Sequence, residues 1–155
     1  MHQMRLAIPI ALPALLLLAG PVACGPGFQL VGPRIDRGLA RELSQRTYPE
    51  QAERGEALDI MVTTRANTLT LTNRTPHSYE DVELWLNREH VHAYDRIRIG
   101  TNPRVRLADF INHLGEPFPT AGLFTPEAGE RLVLAELYVP ETGLRHHLLV
   151  ELEDE

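Results

Sequence analysis

The sequence predicts an all-β protein: an antiparallel sandwich of about seven short strands, preceded by an export signal and one short helix. Three observations lead there. Apolar residues recur at every second position in Thr68-Leu-Thr-Leu-Thr72 and Val82-Glu-Leu-Trp-Leu86, the pattern of strands with one face on a core and one in water. Turn-forming residues separate such segments roughly every 8 to 12 residues, the spacing of a sandwich or small barrel. The longest apolar run lies at the N-terminus and is followed by Gly and Pro.

At 155 residues, one domain is the natural expectation, with a core built mostly from Leu, Val and Ile because aromatic residues make up only 6%. The formal net charge is -6, and all 15 basic residues are Arg. An acidic chain argues against general nucleic-acid binding, which needs a broadly basic surface. The absence of Lys excludes Schiff-base chemistry and a P-loop. A single cysteine, Cys24, excludes an intramolecular disulfide.

Residues 1–23 read as a signal peptide. Met1 to Arg5 is a short positive segment, and Leu6 to Gly20 is apolar, centred on Leu15-Leu-Leu-Leu18 and interrupted by Pro9 and Pro13. That run is short of the ~20 residues a spanning helix needs. Val22-Ala23-Cys24-Gly25 resembles the lipobox of bacterial lipoproteins, with Pro21 standing where Leu is usual. The resemblance implies acylation of the Cys24 sulfur at the mature N-terminus and a membrane-anchored envelope protein facing the periplasm or the exterior. The alternative is a soluble secreted protein with an incidental Cys.

Residues 24–57 read as a tether carrying a helix at about 35–46. Ile35, Leu39 and Leu43 fall at i, i+4 and i+8, Asp36 can cap, and Tyr48-Pro49 ends the pattern. Glu50 to Ala57 reads as a linker. The seven strands expected in residues 58–155 are Leu58–Thr64, Thr68–Asn73, Tyr79–Asn87, His90–Ile99, Arg104–Phe110, Arg131–Val139 and Leu144–Leu152. Arg65-Ala-Asn67, Gly100-Thr-Asn-Pro103 and Pro140-Glu-Thr-Gly143 supply turns, with Gly143 free to take positive φ. Trp85 points away from Val82, Leu84 and Leu86, so it calls for cover from the helix or a loop. Ile111 to Gly129 is the longest irregular stretch, with Phe118 and Phe124 as candidate anchors. The tail Glu151-Leu-Glu-Asp-Glu155 is acidic.

The phrases Leu71-Thr-Asn-Arg-Thr75 and Tyr79-Glu-Asp-Val-Glu-Leu84 resemble small bacterial immunoglobulin-like sandwich domains of the FxLYD kind. That resemblance implies a non-catalytic envelope interaction module.

Two clusters could carry chemistry. His90-Val-His92 puts two imidazoles on one strand face, as in sheet-based metal sites, with His113, His147, Asp95 or Glu89 as a third ligand. The same pair is also common on a solvated strand face. Arg96, Arg98, Arg104 and Arg106 share one face if Gly100–Pro103 closes a hairpin. That patch either binds a carboxylate- or phosphate-bearing polymer or is the polar side of a half-buried hairpin. Nucleophilic catalysis has little support: the only two Ser, Ser44 and Ser78, lie in the helix and a turn, and no Gly-x-Ser-x-Gly elbow is present. No cofactor is implied. The sequence therefore points to a non-catalytic binding or structural module of the cell envelope, its partners a membrane through the lipid and an envelope protein or anionic glycan. A small periplasmic metal-binding or hydrolytic protein using His90 and His92 is the alternative.

Overall fold

In the computed structural model, which describes residues 36–120 and 129–151, two mixed sheets face each other across one apolar core. Sheet I has the order β1 (Glu53–Arg54), β9 (Leu144–His147), β8 (Ala135–Val139), β4 (Tyr79–Leu86) and β5 (His90–Ile97). Sheet II runs β10 (Leu149–Glu151), β2 (Ile60–Arg65), β3 (Thr68–Asn73) and β6 (Gly100–Thr101), with β7 (Val105–Arg106) also paired to β3. Among the described residues, no helix is long and apolar enough to cross a membrane. The segment expected as a signal peptide, Cys24, Phe124 and the last residues of the acidic tail lie outside the described residues.

Alternation is what faces the sheets. Ile60, Val62, Leu69 and Leu71 from sheet II meet Val82, Leu84, Leu86, Ala135, Leu137 and Val139 from sheet I, all buried. Each of the Ile, Val and Leu side chains contributes about 1.5–3 kcal/mol on leaving water. The β2–β3 turn holds Ala66 at φ 51. Asn87 and Arg88 in the β4–β5 turn take φ 49 and 65, matching the right-handed twist of the strands they join. Gly143 takes φ 68, as expected from its place in the last hairpin.

Antiparallel pairing dominates, but not throughout. β1 runs parallel to β9, and β10 runs parallel to β2. The second arises because the expected strand 144–152 breaks at Leu148, which turns into the core and donates to the Ala135 carbonyl at 3.0 Å. The chain thereby leaves sheet I and continues in sheet II.

Two expected strands are cut short. Arg104–Phe110 reduces to β7 and a 3₁₀ turn over Leu107–Asp109, where Leu107 and Ala108 are both buried and Arg106 bonds Asp109. The segment before Ala135 is held by Asn87 instead of a neighbouring strand: its Oδ1 accepts from Val133 and Leu134 N–H at 3.0 and 3.2 Å.

The residues expected as a tether form a third layer. The helix α1 (Arg37–Leu43) is shorter than expected, capped by Asp36, whose Oδ1 accepts from the Gly38 and Leu39 amides. Beyond Leu43 the amides of Gln45 and Arg46 reach back three residues, tightening the end. Seven residues are too few for a stable isolated helix. This one stands because Leu43 is fully buried against Trp85, Val91 and Ile111 on the outer face of sheet I. Trp85 is thus covered by the chain's own helix, and the expected linker 50–57 includes β1.

Candidate functional site

His90 and His92 alternate with Val91 along β5 and lie across from Leu86 and Leu84, so both face the core. Aromatic rings surround both. His90 is buried with its ring edge-on to Phe118, centroids 5.1 Å apart, and its Nδ1 has no hydrogen-bond partner. His92 packs on Tyr94 and Phe110, and its Nδ1 lies 3.2 Å from the Asp109 carbonyl, which places the proton on that nitrogen. Burial pushes both imidazoles below their ordinary range. The third ligand is not assembled: His147 is engaged elsewhere, and among the described residues no three His, Cys, Asp or Glu side chains gather for a metal ion.

The four arginines do not share a face. β5 belongs to sheet I, whereas β6 and β7 belong to sheet II, so the chain crosses between sheets at Arg98–Ile99 and Gly100–Pro103 closes no hairpin onto β5. Asn102 is the physical cause. Its Oδ1 accepts from Arg98 N–H at 2.7 Å, and its Nδ2 donates to the Arg98 and Gly100 carbonyls. Its own amide meanwhile donates to Leu71 O at 2.8 Å in the other sheet. That buried side chain replaces the backbone partner β5 would have needed. Arg96 pairs with Glu80 at 2.5 Å on sheet I, Arg98 sits in the crossing, and Arg106 bonds Asp109 at 2.6 Å on sheet II.

What brings charged groups together is Glu136, on the outer face of sheet I. Cross-strand register sets Val91, Trp85, Glu136 and His147 in one row, with Ala93, Glu83, Tyr138 and Arg145 in the next. The helix and the segment Arg46–Pro49 close over these rows, leaving Glu136 with no exposed surface. Tyr48 donates its hydroxyl proton to Glu136 Oε2, and Arg145 donates to the Tyr48 oxygen while its guanidinium lies 5.0 Å from the Tyr48 ring centre. Arg88 and Arg145 approach the carboxylate at 3.5 Å and His147 Nε2 at 3.1 Å. Next to it, Arg46 donates to Glu83 at 2.6 Å, and the other Glu83 oxygen accepts from the Trp85 indole at 3.0 Å. Burial, then the hydrogen bond to Glu136, pushes the Tyr48 hydroxyl up to about 12.

Chemically this cluster is turned inward: Glu136 Oε2 is bonded by Tyr48, while Glu136 Oε1 and Arg145 Nε, both buried, face each other at 3.5 Å without a hydrogen bond. One buried carboxylate is surrounded by donors, so it locks the N-terminal segment to the sheet instead of offering a base to solvent. Sequence reasoning missed it because its partners are as far as 97 positions apart; the available signal was an outward Trp beside outward acids, with an amphipathic helix upstream.

The opposite face of the molecule has a different character. On the outside of sheet II, Thr63 faces Thr70, and Arg65 faces Thr68, which faces Arg106 in turn. A hollow on this surface is lined by Thr63, Arg65, Ala66, Thr68, Thr70 and Arg104. The three arginines are exposed and the threonines half-buried.

No protein-family model matches the chain, and neither a curated protein nor a solved structure matches it.

Proposed function

We propose that this chain is an exported, lipid-anchored protein of the cell envelope, whose immunoglobulin-like sandwich serves as a non-catalytic binding or structural module. The strand order supports the immunoglobulin-like reading: β9-β8-β4-β5 opposite β2-β3-β6/β7 arises from hairpins joined by crossings between sheets. The single observation that carries the non-catalytic reading is the fate of Glu136. The most deeply buried carboxylate of the described residues is consumed by Tyr48, Arg88, Arg145 and His147 inside the fold.

The anchor reading rests on Cys24 and its neighbours in the sequence. Asp36, the helix cap, stands twelve positions after Cys24, a reach of about 40 Å when fully extended. An acylated chain would therefore hold its sandwich close to the bilayer, with two or more acyl chains making the attachment stable.

Membrane fractionation and intact-mass measurement of wild type and Cys24→Ser test this. The expected result is an acyl mass and a membrane-bound pool in wild type, both lost in the variant. A variant processed and sedimenting like wild type sinks the anchor.

A further inference from the structure

The two outer faces of the sandwich are treated oppositely by the rest of the chain. Sheet I is covered by α1 and Arg46–Pro49, whereas the threonines and arginines on sheet II keep contact with solvent. Arg65 and Arg104 form no ion pair with any carboxylate among the described residues, in contrast to Arg46, Arg88, Arg96, Arg106 and Arg145. In a chain of net charge -6, two such guanidiniums bordering one hollow form a local positive site.

From this placement we infer that the hollow between Arg65 and Arg104 binds a carboxylate-bearing polysaccharide, a polyuronate. The inference deepens the envelope-module reading and rests on it for access to such a polymer. The geometry fits a repeating ligand. Arg65 stands in the row of Thr68, and Arg104 precedes β7, whose register with β3 runs Val105 to Leu69 and Arg106 to Thr68. Continuing that register by one residue sets Arg104 beside Thr70. Adjacent strands are about 4.8 Å apart and alternate residues about 6.7 Å, so the two guanidiniums flank the hollow from opposite sides, with Thr68 and Thr70 between them. A lone carboxylate can meet one guanidinium; a chain with carboxylates on successive sugars can meet both.

Each group has a matching role. A guanidinium grips a carboxylate with two parallel N–H donors. The hydroxyls of Thr63, Thr68 and Thr70 both donate and accept, as sugar hydroxyls do. The hollow has no aromatic or large apolar side chain to anchor a protein partner, and the chain's overall acidity opposes nucleic acid. Glu151 accepts from Thr63 at 3.3 Å, so it bounds the site with negative charge on the β10 side.

Affinity electrophoresis of the full-length, C-terminally tagged protein in gels containing polygalacturonate tests this, with neutral dextran as the control polymer. The expected result is retardation by polygalacturonate alone, weakened by salt. Arg65→Ala/Arg104→Ala should weaken binding about tenfold, the combined size of two exposed charge contacts. Arg98→Ala should leave it unchanged. Arg65→Lys/Arg104→Lys should fall between wild type and the Ala pair, since charge is kept and the bidentate fork is lost. These are exposed side chains, and an unaltered melting temperature establishes that each variant is folded. Wild-type protein that runs alike in both polymers, or an Ala pair retarded as strongly as wild type, overturns the inference. The same preparation is fractionated: Cys24-dependent membrane attachment without retardation overturns only the glycan site, and retardation of an unanchored chain overturns only the anchor.

Discussion

Replacing Glu136 with Gln removes one charge from the covered face of sheet I while keeping the shape of the side chain. The loss falls unevenly on its partners. Arg88 and His147 retain 49% and 38% side-chain exposure and can be resolvated, but Arg145 retains only 8%. Removing one partner of a buried pair costs about 3–5 kcal/mol, because the surviving charge is left without compensation. With the two exposed partners discounted, the cost rests on Arg145 and comes to about 3 kcal/mol. In urea, with a slope near 2 kcal/mol/M, that lowers the unfolding midpoint by about 1.5 M. The melting temperature should fall by roughly 10 °C.

Trp85 is the only Trp in the chain and packs against Tyr48 with ring centres 5.5 Å apart, so its emission reports this layer directly. Glu136→Leu/Arg145→Leu removes both charges together. It should be less destabilised than the sum of its single variants by 1 kcal/mol or more, the coupling expected of groups in one network. A midpoint shift under about 0.5 M in Glu136→Gln, or strict additivity in the double variant, would refute the claim that this carboxylate is held dry by the N-terminal segment.

Two pH dependences come from the same structure. The Tyr48 hydroxyl is pushed up to about 12 in the fold, chiefly by burial, so its contribution is fully present below pH 10 and declines as pH rises toward 12. Tyr48→Phe should flatten that alkaline loss in urea midpoints measured from pH 9 to 12, while Tyr94, also raised by burial, leaves a residue of it. His90 and His92 are held below the usual imidazole range by burial. The sign is opposite: their neutral forms support the fold above about pH 6.5, and that support is lost as pH falls through their lowered values. Midpoints should drop between pH 7 and 5, and His92→Leu should shrink the drop; a pH-independent midpoint over that range refutes it.

The elements that could be read from sequence were those whose local pattern matches their environment. Thr68–Asn73 occurs with the bounds its alternation implies. The positive φ of Gly143 likewise follows from residue chemistry. Helix α1 was visible in three apolar residues, although only its packing on Trp85 explains why so short a helix persists.

What could not be read was which chain neighbours become neighbours in space. The four-arginine patch assumed that β5 and the following strand pair. One buried Asn102, bonding the backbone of Arg98 and Gly100, sends the chain to the other sheet. In the same way, outward polar residues on β4, β8 and β9 read as solvated, and nothing local distinguishes Glu136 from Glu80. The first is buried beneath Tyr48; the second is exposed with Arg96. Only the upstream segment decides between them, and it does so by covering sheet I alone. That asymmetry moves the search for a partner surface to sheet II. Arg65, which the sequence offered only as part of a turn, stands there with Arg104 over a row of threonines. A polar strand face of this kind differs from an ordinary solvated one by its unbalanced charge, and charge balance depends on which strands are adjacent.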